Sequence, residues 1–189
     1  MIVTVVAGNP KPASRTLDAA HIVARALTDR DADHAIDVIA LGPGLLGWGD
    51  PAVADAVAIA AASDLLIVAS PTFKATYTGI LKLFLDQFDT GTGLAGVTAV
   101  PLMLGAGPAH ALAPDLLLKP VLVELGAVCP AQGLYLGDKV YDQPGVLDPW
   151  LARWASAVLS SADSTSAADT ATTATPATGD PAPFDRSAS

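Results

Sequence analysis

A single cysteine, Cys129, stands among 189 residues, which excludes an internal disulfide or a zinc cluster built on several thiolates and fits a reducing cytoplasm. Cys129 itself is expected to be a buried small apolar residue rather than a redox thiol. Aromatic side chains are scarce, 5% against 51% hydrophobic residues overall. The core must therefore come from Ala, Val, Leu and Ile, a composition that suits parallel strands covered by helices. Positive charge is also short, with 10 Lys and Arg against 19 Asp and Glu. No basic stripe is present to displace counterions from a phosphate backbone, so no nucleic-acid partner is expected. The start Met1-Ile2-Val3-Thr4-Val5-Val6-Ala7 lacks the basic region and cleavage site of a secretory signal, which predicts a cytoplasmic protein. Between Asp89 and Asp115 no residue is formally charged, but Gly91, Gly93, Gly96, Pro101, Gly105, Gly107 and Pro108 interrupt the stretch, so no membrane span is expected. The three histidines, His21, His34 and His110, have no second metal ligand at helical spacing, and no serine sits in a nucleophile elbow; neither a metal site nor a catalytic nucleophile is expected.

What is present is an alternation. Residues 2–7 form a β-branched apolar run ending at Gly8-Asn9-Pro10, and from Arg15 to about Asp29 apolar residues recur at helical spacing behind Ser14 as N-cap. The pattern repeats with strands expected over 35–41, 65–70, 97–104 and 127–136, and helices over 51–62, 78–88, 109–125 and 147–160. Pro120 is expected to kink the fourth helix rather than end it. Five strands alternating with helices predict an α/β fold, a parallel sheet doubly wound so that helices cover both faces. The length suits one domain over 1–161. From 162 to 189 the chain turns to Ala, Ser, Thr, Asp and Pro, with Phe184 the one large apolar side chain. Such a tail is expected to be disordered because it cannot offset its ordering entropy.

In an open parallel sheet, ligands bind beyond the carboxyl ends of the strands, and three loops have that address. The first, Gly8-Asn9-Pro10-Lys11-Pro12-Ala13-Ser14-Arg15-Thr16, brings two hydroxyls and an arginine to a helix N-terminus, where free N–H groups and the dipole favour an anion. A plain helix start capped by Ser14, with Arg15 in solvent, is the alternative. The loop lacks the second glycine and lysine of a P-loop and is not a G-x-G-x-x-G turn. A terminal monophosphate such as that of FMN therefore suits it better than a triphosphate or a pyrophosphate bridge.

The second loop, Ser70-Pro71-Thr72-Phe73-Lys74-Ala75-Thr76-Tyr77, offers a stiff turn, a ring and an ammonium group. It can flank an isoalloxazine edge, with a cation to stabilise the reduced ring; equally, Phe73 can be core and Lys74 a solvated cation. The third, Leu104-Gly105-Ala106-Gly107-Pro108-Ala109-His110, places two glycines where backbone approaches something closely. His110 is open between a hydrogen-bonding role toward a flavin and a structural or exposed position.

Gly8-Asn9-Pro10-Lys11 with Ser14-Arg15-Thr16, the run from Ser70 through Thr78-Gly79-Ile80-Leu81-Lys82, and His110 with Lys119-Pro120-Val121-Leu122 together resemble the NAD(P)H-dependent FMN reductases, particularly those serving alkanesulfonate-type monooxygenases. The resemblance covers roughly residues 2–136. It implies a flavodoxin-like fold with strand order 2-1-3-4-5, and an FMN phosphate held by Ser14, Arg15 and Thr16 beside Asn9. It further implies a ring bordered by Pro71, Thr72, Phe73 and Lys74, with Gly105, Ala106, Gly107 and His110 completing the pocket. The implied reaction is hydride transfer from NADPH or NADH to FMN in a homodimer or homotetramer, with reduced flavin passing to a monooxygenase. Two alternatives remain at this level: an FMN-containing quinone or azo reductase, and a non-enzymatic electron carrier like flavodoxin.

Overall fold

The opening apolar run becomes the strand β1 (Val3–Ala7) with every side chain buried, because it pairs on both sides and is covered on both faces. The computed structural model describes residues 1–172 of the chain. After β1 come α1 (Arg15–Thr28), β2 (His34–Asp37), α2 (Pro51–Ala61), β3 (Leu65–Pro71), α3 (Gly79–Leu85), β4 (Thr98–Gly105), α4 (Lys119–Glu124), β5 (Leu134–Gly137) and α5 (Asp148–Thr172). The five strands form one sheet in the order β2-β1-β3-β4-β5, with all pairs parallel. This is the flavodoxin-like order that the resemblance implies.

Alternate strand residues feed two separate cores. Val6, Leu66, Val68 and Met103 join α2, α3 and α4 on one face, while Val3, Val5, Leu65, Ile67 and Leu102 join α1 and α5 on the other. Each fully buried aliphatic side chain contributes roughly 1.5–3 kcal/mol relative to exposure, which is how a core poor in aromatics suffices. Half-buried Cys129 packs against the first core, and burial pushes its thiol up to about 11, far from thiolate reactivity.

Four elements depart from the sequence expectation. The second strand, expected over 35–41, stops at Asp37, because β1 ends at Ala7, the partner of Asp37, and offers nothing further to pair with. The chain turns instead into a 3-10 stretch, Val38–Leu46, that tucks Val38 and Leu45 into the core.

The fifth strand, expected over 127–136, is split. Val128 bridges Thr98, but regular pairing resumes only at Leu134 opposite Leu102. Between them the segment bulges through Pro130, which has no N–H to give. The bulge is pinned by Lys119, whose ammonium donates to the Ala131 carbonyl at 2.8 Å, and by Asp115, which accepts from the Gly133 N–H at 2.9 Å.

The long fourth helix expected over 109–125 is broken into a 3-10 turn (Pro108–His110), a π turn (Pro114–Leu118) and α4. Pro120 does disturb the ladder without ending it: lacking a donor, it lies in the first turn of α4 just after the wider π turn, where the N–H of Lys119 reaches Pro114.

The last helix, expected to close at Ser160, runs on to Thr172, so the expected boundary at 162 falls inside α5, with Ala162 buried. Residues 173–189, including Phe184, lie outside the described residues.

Candidate functional site

The loops following β1, β3 and β4 meet at the carboxyl edge of the sheet around a cavity of about 520 Å³, within the range of small-molecule sites. Of the twelve residues singled out in the sequence, Asn9, Ser14, Arg15, Thr16, Pro71, Thr72, Phe73, Gly105 and Ala106 line it. Gly107 and His110 line an adjoining cavity of about 550 Å³ that shares Thr72, Gly105 and Ala106 as its wall. Lys74 lines neither: it is exposed at the tip of a tight turn.

The first loop is held by its own polar groups. Ser14 caps α1, its hydroxyl accepting from the Leu17 N–H at 3.4 Å. The Asn9 amide donates to Thr16 Oγ1 at 2.9 Å and accepts from the Lys11 N–H at 2.9 Å. Asp37, at the end of β2, accepts from the Ala13 N–H at 2.9 Å and so supports the loop at Ala13, whose φ is 47°. Ser14 and Thr16 are buried, and the first-turn N–H groups beside them belong to a 14-residue helix whose dipole adds positive potential.

The glycine before this loop is a packing requirement. A Cβ on Gly8 would lie 2.3 Å from the Leu81 Cβ, so α3 can approach β1 only because Gly8 has no side chain. Thr78, the cap of α3, donates through its hydroxyl to the Gly8 carbonyl, and its own N–H reaches Ser70 Oγ at 3.0 Å. The first two loops are thereby locked to one another.

In the second loop, Phe73 and Thr76 exchange two backbone hydrogen bonds, at 2.9 and 3.2 Å, across Lys74 and Ala75. Both intervening residues have left-handed φ values, 52° and 71°, the signature of a type I′ turn. This turn carries the Lys74 ammonium outward while half-exposed Phe73 stays in the cavity wall. In the third loop, a Cβ on Gly105 would lie 1.9 Å from the Tyr135 hydroxyl, which itself donates to the Gly107 carbonyl at 2.7 Å.

Sequence reasoning missed Asp138, which follows β5 and also lines the cavity. Its backbone N–H donates to the Gly105 carbonyl at 2.9 Å, its carbonyl accepts from Arg15 Nη1 at 2.7 Å, and its carboxylate lies 3.5 Å from Arg15 Nη2. The rule that named the other three loops, a position just past a strand's carboxyl end, points to it as well. Lys11, in the first loop, also lines the cavity.

These residues fit a flavin mononucleotide. The capped start of α1 gathers Ser14, Arg15 and Thr16 beside the free N–H groups of its first turn, an arrangement that suits an anion. Thr72 Oγ1, buried between the two cavities, has no hydrogen-bond partner among the described residues, so it is free to meet a polar ring edge. Fold and cavity together define a flavodoxin-like α/β domain with a cavity at the carboxyl edge of its sheet, where folds of this kind take their ligands.

Comparison with known proteins sharpens that class. The family described as NADPH-dependent FMN reductase matches residues 1–142, and the chain belongs to it. An NADH-dependent FMN reductase of Pseudomonas putida, SfnF, is 36% identical over 87 residues, 46% of each chain. An FMN reductase (NADPH) of Escherichia coli K12 is 43% identical over 76 residues, covering 40% of this chain and 39% of that one. The chain thus spans about half or less of the length of these curated relatives. A solved NADH:FMN oxidoreductase, EMOB in its apo form, aligns with 86% of this chain and 88% of its own, at 32% identity and a TM-score of 0.73.

Proposed function

We propose that the protein is an NAD(P)H-dependent FMN reductase. One observation carries the reading: a single cavity combines a capped helix start bearing Ser14, Arg15 and Thr16 with a wall of Pro71, Thr72, Phe73, Gly105 and Ala106. The names of the relatives, which divide between NADH and NADPH, support the same reaction.

FMN bound here would supply the two-electron chemistry, as the acceptor of hydride from NADPH or NADH. The protein's part is alignment and electrostatics. Ser14, Thr16 and the N–H groups of the first turn of α1 hold the phosphate, Arg15 supplies a counter-charge, and Asn9 fixes the Thr16 hydroxyl. Pro71, Thr72 and Phe73 would border the ring, with the unpartnered Thr72 hydroxyl as a group for its polar edge, and the Gly105–Ala106 backbone would close the wall. The adjoining cavity lined by Gly107 and His110 leaves room for the nicotinamide. Lys74, turned outward, bears on the approach of the anionic cofactor rather than on the ring. No side chain is needed as a nucleophile.

The reading extends to a cytoplasmic homodimer or homotetramer that hands reduced flavin to a flavin-dependent monooxygenase. Exposed Leu112 and Leu116, in the segment leading into α4, and Val123 on α4 itself supply apolar surface for self-association. Among the described residues no helix is long and apolar enough to cross a membrane.

Anaerobic oxidation of NADPH and of NADH, followed at 340 nm with and without added FMN, tests the reaction. Turnover that requires added FMN is expected. Turnover that instead requires a quinone and no added FMN overturns the substrate role of the flavin, and no oxidation under any condition overturns the reductase.

A further inference from the structure

Asp138 is an anion in the wall of an anion site. Its place is set by the fold rather than by the salt bridge, since its N–H is bound to the Gly105 carbonyl at 2.9 Å where β4 ends. It meets Arg15 twice, through its carbonyl at 2.7 Å and its carboxylate at 3.5 Å. The short contact, to the carbonyl, is the one that orients the guanidinium. The carboxylate contact is longer and wet, with side-chain exposures of 61% for Arg15 and 27% for Asp138, and an ion pair of that kind adds little to stability.

The other carboxylates near the start of α1 are engaged elsewhere. Asp18 accepts from the Tyr141 hydroxyl at 2.9 Å, and Asp37 accepts from the Ala13 N–H. Asp138 alone among these three shares the cavity with Ser14, Arg15 and Thr16.

We propose that the Asp138 carboxylate limits the affinity of the flavin phosphate site, by competing for Arg15 and by repelling the phosphate, so that flavin exchanges instead of remaining bound. This rests on the reading of the cavity as an FMN site. The effect acts through the phosphate, and a flavin without one does not feel it.

The test compares FMN with riboflavin by quenching of flavin fluorescence on the full-length protein, for wild type, Asp138→Asn and Asp138→Glu. Asn keeps the backbone contacts and the side-chain shape while removing the charge. It should tighten FMN binding about fivefold, as expected for one like charge removed at short range in a wet site, and slow FMN dissociation in stopped flow by a similar factor. Riboflavin affinity should not change, and Asp138→Glu, which restores the charge, should return FMN binding toward the wild-type value. An unchanged or weaker FMN affinity in Asp138→Asn, or equal tightening of both flavins, overturns the proposal while leaving the FMN site standing. Failure of the wild-type protein to bind FMN at all overturns the site reading, and this proposal with it.

Discussion

The Asn9 amide spans the first loop, donating to Thr16 Oγ1 at 2.9 Å while its own oxygen accepts from the Lys11 N–H at 2.9 Å. One side chain thus sets both the loop's curvature and the direction of a hydroxyl in the cradle. Asn9→Ala releases both and is expected to weaken FMN binding by about five- to tenfold, the equivalent of one ordinary hydrogen bond or slightly more. Asn9→Asp loses the donor and adds a negative charge, and should weaken it further. Fluorescence titration with FMN checks both.

Gly105 and Tyr135 occupy adjoining space with nothing to spare. A Cβ at 105 would lie 1.9 Å from the Tyr135 hydroxyl and 2.7 Å from its ring carbon Cζ. Gly105→Ala must push the ring aside and break its bond to the Gly107 carbonyl. A loss of about 2 kcal/mol is expected from overpacking, read as a lowered Tm, together with weaker FMN binding because the third loop moves. Tyr135→Phe, which removes the hydroxyl, should recover part of the loss in the double variant.

The type I′ turn at Lys74 and Ala75 is formed without the glycine or asparagine that usually supplies left-handed φ. Ala75 has a φ of 71°, a conformation that costs an L-residue roughly 1–2 kcal/mol. Ala75→Gly relieves it, at some expense in unfolded-chain entropy, and should raise stability by about 0.5–1 kcal/mol. The urea midpoint at unchanged slope measures this.

How much of this was legible in the sequence depends on how local the signal is. The first loop could be read because its determinants adjoin one another: a β-branched strand, Gly8-Asn9-Pro10 as punctuation, and Ser14 as a cap. The end of β2 was not, since it depends on where β1 stops, and apolar Val38 continues the strand pattern although it is buried through a 3-10 turn. The split in the fifth strand depends on Lys119 and Asp115 reaching across from another segment. Lys74 illustrates the same limit in the site. Its position in the chain suggested a cation beside the ring, but the turn type, fixed by the Phe73–Thr76 pairing, directs it away. Asp138 is not legible locally, because it reaches Arg15 from 123 residues away, just past a strand that ends at Gly137, one residue beyond its apolar run.

Tyr141 links stability to alkaline pH. Burial, and next its hydrogen bond to the Asp18 carboxylate, push its hydroxyl up to about 12 from an ordinary 10. The protonated form is the one the fold favours, so its stabilising contribution is complete below pH 10 and is lost as pH rises from 10 toward 12. Tyr141→Phe should be less stable than wild type at neutral pH, and the gap should narrow across that interval. Denaturant unfolding of both proteins at a series of pH values measures the gap.

Binding of FMN and of riboflavin to the wild type and to the Ser14→Ala, Arg15→Ala double variant tests most directly whether the start of α1 holds the flavin phosphate. The variant removes a buried hydroxyl and the cradle's arginine, so FMN affinity by fluorescence quenching should fall at least about tenfold, from one lost hydrogen bond and one lost charge contact, while riboflavin affinity stays the same. Unchanged FMN affinity would place the phosphate elsewhere and contradict the assignment of this cavity.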